Sequence, residues 1–321
     1  MNIKIIMSKN YFEIVRAGIN TTFQDKGRSN LYHIGIPFSG AMDTRNLLIT
    51  NKLVGNEKND AVIEFALQGP KLKVKQNNIN CVVTGNVSFT FKKNSKIYNG
   101  ECYKTFDLNN NDEIDIISTN NSMYGYFSIS GGFKIEKKWN SYSTHLRSKV
   151  GPNKGDKIVE NDILQLNKNV KPIIKKSIDY SNSKIEFIRV IKGTNFDYFS
   201  PKSQSKFFKE EYSVTNLTDR MGMRLKGSIL ENIKSTNIKS EGLIKGVIQV
   251  PADGNPIILL NDHGTIGGYP KIAVVISADL DKVSQLTPNT KIKFEEVSLE
   301  DAENLFKNYL SETNKYLNEI N

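Results

Sequence analysis

The chain has 321 residues, 38% of them hydrophobic, and carries 44 Lys and Arg against 34 Asp and Glu, a formal charge of +10. That length exceeds what one hydrophobic core serves, so two lobes are expected, and no apolar run approaches the roughly eighteen residues of a membrane helix. The lysines are interspersed with asparagines ("KVKQNNIN", "FKKNSKIYNG", "KPIIKKS") without a basic helix or interleaved aromatics, the pattern of a solvated face rather than a nucleic-acid surface.

The first stretch, "MNIKIIMSKN", has too short an apolar patch for a secretory signal, so a soluble cytoplasmic protein is expected, with Met7 an alternative start. The runs "FEIV", "AVIEFAL", "KLKV", "CVVTG", "VSFTF", "EIDIIS" and "MYGYFSIS" follow at about ten-residue spacing with Gly, Asn or Asp between them, which predicts antiparallel β structure. "MDTRNLLITNKLVGN" interrupts them with a helix, capped at Asp43 and stopped at Gly55. Cys81 lies in the apolar strand "NINCVVTG" and reads as a buried, reduced thiol. Neither it nor Cys102 has redox or zinc spacing, and His33, His145 and His263 are far apart, so no metal site is expected.

Residues 168 to 184 are polar, basic and aperiodic and read as a linker. A second β set comprises "KIEFIRVIKG", "EEYSVT", "GLIKGVIQV", "PIILL", "KIAVVIS" and "KIKFEEV", with a helix at "DLDKVSQL". From Ser298 onward, Leu299, Ala302, Leu305, Phe306, Tyr309, Leu310, Tyr316, Leu317 and Ile320 recur at helical spacing, and Ser298 with Asp301 forms a capping box. The predicted organisation is an N-terminal β lobe over 1–170, a linker over 171–184, a C-terminal β lobe over 185–297 and a helix over 298–321.

No P-loop, nucleophile elbow or dinucleotide-binding glycine fingerprint occurs, so chemistry must be sought in three polar, Gly-containing stretches. In "TTFQDKGRSNLYHIGIPFSGAMD", Arg28 either pairs with Asp25 across a turn or clamps a carboxylate or phosphate, and Asp43 is either a cap or a site residue. In "NLTDRMGMRLKG", Asp219 and Arg220 are either a surface pair or part of a cleft for a small anion. In "NDHGTIGGYPKIAVVISADL", Gly267 and Gly268 permit positive φ and close backbone approach, and Pro270 fixes the chain direction. Strand alternation there puts Lys271 and Ala273 on one face and Ile272 and Val274 on the other; the alternative is an ordinary long loop whose lysine reaches solvent.

Those stretches, with "SEGLIKGVIQVPADGNPIILL" and "ISGGF", resemble in order the biotin-dependent carboxyltransferase family, also called the allophanate hydrolase subunit 2 family, over about residues 12 to 300. The resemblance implies a mainly β fold of two cyclophilin-like β-barrel lobes with a few short helices, a C-terminal amphipathic helix and a ligand cleft between the lobes, which Lys271 would face. It implies a heteromeric, ATP-dependent 5-oxoprolinase, opening 5-oxoproline to glutamate with a subunit 1 type protein and a LamB/YcsF-like protein. The alternatives are a carboxyltransferase component that takes a carboxyl group from carboxybiotin to urea or a similar amide, and a regulatory binding protein. On that reading the catalytic candidates are Asp262, Lys271, Arg220 and Asp43. Arg28 would hold the substrate carboxylate, the N–H groups near Gly267 and Gly268 would stabilise developing charge, and Gln24, Ser39, Gly40, Asp219 and Tyr269 would complete the substrate site.

Overall fold

The structure, a computed structural model, describes residues 10–167, 175–181 and 186–320. It divides into two compact units, one of Met1–Gly27, Arg45–Ser181 and Tyr316–Asn321, the other of Arg28–Thr44 and Asn182–Lys315. The units are therefore discontinuous in sequence. Residues 28–44, expected in the N-terminal lobe, belong to the second unit, and the end of the C-terminal helix belongs to the first.

The first unit is built on two antiparallel sheets. One orders its strands Ile163–Gln165, Tyr11–Arg16, Lys71–Lys75, Glu113–Thr119, Val87–Lys93 and Lys96–Asn99. The other runs Thr22–Gln24, Val62–Ala66, Tyr124–Ile129, Ile79–Thr84 and Phe106–Leu108. "KLKVK" shows the alternation of a half-buried strand, since Leu72 and Val74 enter the core while Lys71, Lys73 and Lys75 are only partly covered. "INCVVT" is buried throughout because both of its faces are covered. Cys81 and Val83 join Phe12, Phe65, Phe89 and Phe127 in the main core, whereas Val82 meets helix α1 (Thr44–Leu53) through Ile49 and Leu53 and the chain end through Leu317 and Ile320. Gly55, at φ +69°, stops α1 as expected. Cys81 and Cys102 are free thiols, and burial pushes both thiol pKa values up.

Of the stretch read as a linker, residues 168–174 and 182–184 lie outside the described residues, as does Met7. Residues 175–181 are pinned to the first unit: Lys176 N–H donates to Thr105 Oγ1 at 2.8 Å, Ile178 N–H to the Tyr103 carbonyl at 3.1 Å, and Tyr180 packs edge-on against Tyr103.

The second unit is a closed barrel of seven strands, Phe187–Lys192, Lys271–Val275, Val247–Gln249, Ile257–Leu259, Gly222–Lys226, Tyr212–Thr218 and Lys291–Glu296. A parallel pairing of Phe187–Lys192 with Lys291–Glu296 closes it. Two of the stretches read as polar loops contain strands, one in the barrel and one in a separate ribbon. "GMRLK" within "TDRMGMRLKG" is a strand with Met223 and Leu225 buried, and Glu241–Gly242 pairs with Ile266–Gly267 in a two-stranded ribbon. Helix α2 (Pro201–Lys209) was not anticipated, because among its residues only Ser203 and Phe207 are buried and the apolar signal is one turn long; Ser200 caps it with Pro201 in the first turn. Phe207 stacks on Phe294 at 4.4 Å between centroids. Helices α3 (Leu280–Ser284) and α4 (Leu299–Glu319) follow, and Ser298 caps α4 as expected, its Oγ accepting from Asp301 N–H at 3.0 Å and donating to Asp301 Oδ2 at 2.6 Å. No helix among the described residues is long and apolar enough to cross a membrane.

Gly193, just past the strand Phe187–Lys192, lies close against the backbone of Lys271. A Cβ there would lie 2.3 Å from the Lys271 carbonyl oxygen, a backbone atom fixed by a hydrogen bond from Asn195 N–H. Gly193→Ala is expected to cost about 1–3 kcal/mol, read as a lower urea midpoint at unchanged slope.

Candidate functional site

The segment 28–44 is anchored to the barrel of the second unit by a buried polar network. Arg220 and Asp262 are 6% and 5% exposed and pair bidentately, Nε to Oδ2 at 2.8 Å and Nη2 to Oδ1 at 3.0 Å. Ser39 Oγ donates to the same Oδ1 at 2.5 Å, and Arg220 Nη2 also donates to the Gly40 carbonyl at 2.7 Å. Asn261 completes the clasp: its Nδ2 donates to the carbonyls of Ser39, Gly40 and Ala41 at 3.2, 3.2 and 2.9 Å, and its own backbone carbonyl accepts from Ser39 N–H at 3.1 Å. Ser39 and Gly40 both take left-handed backbone, φ +58° and +86°. For Ser39 that conformation costs on the order of 1 kcal/mol, held by this network. Chemically, the arrangement delivers a rigid loop edge with fixed backbone dipoles.

Four of the residues singled out from sequence, Ser39, Gly40, Arg220 and Asp262, are thus brought into one network. Their neighbours differ from expectation. Asp219 and Arg220 are not a surface pair: Arg220 turns inward, while Asp219 Oδ1 accepts from Met221 and Gly222 N–H at 2.8 and 3.2 Å and shapes the turn. Arg28 is buried, and its N–H closes the segment by donating to the Phe38 carbonyl at 2.8 Å. Asp43 accepts from Gln285 Nε2 at 3.0 Å, and the first N–H of α1, from Thr44, goes to Asp281 at 3.0 Å. Gln24 lies in the first unit, fully buried, with its Nε2 on Thr22 Oγ1 and the Thr144 carbonyl at 2.9 and 3.0 Å. Asp25 there bonds Ser141 Oγ and Tyr142 N–H, each at 2.7 Å.

The ribbon and its following strand hold the rest. Neither Gly267 nor Gly268 uses the positive φ that glycine permits. Their lack of a side chain serves packing instead: a Cβ on Gly267 would lie 2.7 Å from Leu243 Cδ1, and one on Gly268 3.0 Å from the Ile238 carbonyl. The Tyr269 carbonyl accepts from Gln249 Nε2 at 3.2 Å while its ring is exposed. Lys271 neither reaches solvent nor stands opposite a core-facing Val274. Ile272 and Ala273 are both fully buried, and it is Val274 that is half-buried, packed on Leu243, Val247 and Leu259. The Lys271 side chain is 7% exposed and forms an ion pair with Glu241, itself 48% exposed.

Sequence reasoning passed over Tyr32 here and weighed His263 only as a metal ligand. Tyr32 Oη lies 3.1 Å from His263 Nε2, and His263 Nδ1 lies 2.6 Å from the Gly264 carbonyl. His263 is 2% exposed, and burial holds its pKa below the ordinary 6.5. The available signal was "NDH" directly after the buried run "PIILL", which puts the imidazole where a barrel strand ends. No group of His, Cys, Asp and Glu suited to a metal occurs among the described residues.

A family model described as the carboxyltransferase domain, subdomain A and B, matches residues 34–296. The C subunit of the Haemophilus influenzae 5-oxoprolinase is 33% identical over 313 residues, covering 96% of this chain and 99% of that protein. Its Escherichia coli counterpart is 30% identical over 294 residues, covering 90% and 92%. The crystal structure of the Kluyveromyces lactis urea carboxylase superposes with a TM-score of 0.87 at 26% identity, over 97% of this chain and 30% of that larger one. With its mainly β fold, its ordered loops and a match over most of its length, the chain belongs to the carboxyltransferase domain family of subdomains A and B.

Proposed function

We propose that this chain is the C-type subunit of an ATP-dependent 5-oxoprolinase, opening 5-oxoproline to glutamate in the cytoplasm together with a subunit 1 type protein and a LamB/YcsF-like protein. The observation that carries the reading is end-to-end similarity to proteins of the same extent, 99% and 92% of the two 5-oxoprolinase C subunits being covered. Opening a lactam means breaking amide resonance. ATP, a co-substrate of the complex, supplies the driving force by phosphorylating the carbonyl oxygen, and no residue of this chain is assigned to it. Arg220, Asp262 and Asn261 act as positioning residues that fix Ser39 and Gly40 at the substrate edge. Arg28 is the proposed partner of the substrate carboxylate. Lys271 provides the cation for developing negative charge, an anionic substrate displacing the half-exposed Glu241 from its ammonium.

A second reading, transfer of a carboxyl group from a carrier-borne carboxybiotin to urea or a similar amide, is favoured by the close superposition on the Kluyveromyces lactis urea carboxylase. One assay separates action within a complex from autonomous catalysis. The isolated chain is expected to release no ADP in response to 5-oxoproline, and activity is expected on adding both partners; robust turnover by the isolated chain overturns the proposal that it works only in a complex.

A further inference from the structure

We propose that Tyr32 and His263 form a proton relay, with His263 as the base and Tyr32 carrying the proton between it and the reacting water at the substrate edge. The proposal rests on the reading of this chain as part of a lactam-opening complex and adds to it the group that moves the proton.

The hydrogen bonds determine the direction of the relay. A carbonyl oxygen only accepts, so His263 Nδ1 must carry a proton to bond Gly264 at 2.6 Å. In the neutral ring Nε2 is then a bare acceptor, and Tyr32 Oη, 3.1 Å away, donates to it. The phenol has its remaining lone pairs free of that bond. Tyr32 is only partly buried, while His263 is 2% exposed, so the tyrosine is the outward end of the pair. Tyr32 is itself placed by Phe38, with ring centroids 5.0 Å apart, and Phe38 directly precedes the clasped Ser39. The relay therefore stands on the loop edge that Arg220, Asp262 and Asn261 hold in place.

The charges around the ring suit a base. Burial lowers the pKa of His263, opposed by the Gly264 carbonyl and by Asp262, while Lys245 lowers it further. The ring is thus neutral at pH 7, and an imidazolium formed during reaction has Asp262 nearby. Burial raises the Tyr32 pKa, so the phenol stays protonated until it passes its proton on. In the reaction, water forms a bond to the activated lactam carbonyl carbon and gives a proton to Tyr32 Oη as the tyrosine's own proton moves to His263 Nε2. Cleavage of the C–N bond then returns that proton through Tyr32 to the departing nitrogen, so the pair ends as it began; the phosphoryl group stays on the new carboxyl oxygen as an acyl phosphate, which a second water hydrolyses to glutamate and inorganic phosphate.

Tyr32→Phe keeps the ring and its contact with Phe38 and removes only the hydroxyl. In the assembled complex it is expected to lower kcat for 5-oxoproline by about 10²-fold or more with KM unchanged. In the wild type kcat is expected to fall on an acidic limb below pH 6.5, where a proton on Nε2 blocks the acceptor; in His263→Gln, slow at all pH values, that limb should vanish. Wild-type kcat in Tyr32→Phe, or an unaltered acidic limb in His263→Gln, overturns the proposal, since a merely structural pair would leave the limb in place. A second arm needs no substrate. Ring ¹⁵N NMR of the full chain, which has three histidines, should show Nδ1 protonated and Nε2 bare for His263 at pH 7, with Nε2 shifted by Tyr32→Phe. His145, whose Nδ1 accepts from Ser148 N–H at 3.2 Å, should show the opposite tautomer and serves as reference. A protonated Nε2 on His263 overturns the relay even if the complex proves inactive on 5-oxoproline, an outcome that would itself refute only the functional reading.

Discussion

Asp262→Ala is expected to destabilise the protein by about 3–5 kcal/mol, a larger effect than that of any other single substitution proposed for the second unit. The reason is asymmetry. The pair with Arg220 is more than nine-tenths buried on both sides, so removing the carboxylate strands a guanidinium without its bidentate partner. Ser39 loses its acceptor at the same time, and with it part of what holds the left-handed backbone at 39. Replacing both charges by Arg220→Met with Asp262→Leu should cost clearly less than the single change, because nothing charged then remains buried. Equilibrium urea unfolding of the two variants tests this directly. A single-variant loss under about 1 kcal/mol, or a double variant that is the less stable, would show that the network does not organise the loop.

The second large effect separates catalysis from stability. Lys271→Met keeps most of the aliphatic stem in its buried slot and leaves Glu241 half in water, so the melting temperature should change little. Turnover by the assembled complex should nevertheless fall about 10²-fold or more, the usual loss when one cation or donor facing developing negative charge is removed. Glu241→Gln works the other way: it leaves the buried ammonium without its carboxylate, lowering stability by about 1–3 kcal/mol, and it removes the group that an anionic substrate must displace, so KM should fall. Full turnover in Lys271→Met would assign Lys271 to packing alone.

How far the sequence revealed this molecule depends on the range of the forces involved. Period-two runs such as "KLKVK" and "EIDIIS" became strands because burial of alternate side chains is a local property. The Ser298 cap and the Gly55 stop were readable for the same reason, each being a contact within a few residues. Helix α2 and the strand Gly222–Lys226 were missed, since their short apolar patterns gain meaning only from the barrel they complete. The candidate site was legible as three loops but not as a network. Nothing in "PFSGAMD" states that Ser39 donates to Asp262, 223 positions away, or that Arg220 leaves its neighbour Asp219 to join them. Lys271 shows the limit most plainly: alternation was applied to "KIAVV" as if one face were open, whereas both sides of that strand are covered.

The most direct test of the central claim follows one atom. 5-Oxoproline labelled with ¹³C at the lactam carbonyl is incubated with ATP and the complex of this chain with the two proposed partners, in bicarbonate-free buffer, and observed by ¹³C NMR. The account predicts that the lactam resonance is replaced by the side-chain carboxylate of glutamate, and that the Lys271→Met complex leaves it in place. An unchanged lactam signal in the wild-type complex, together with transfer of a labelled carboxyl group to urea from a carboxylated biotin carrier in a separate incubation, would contradict it.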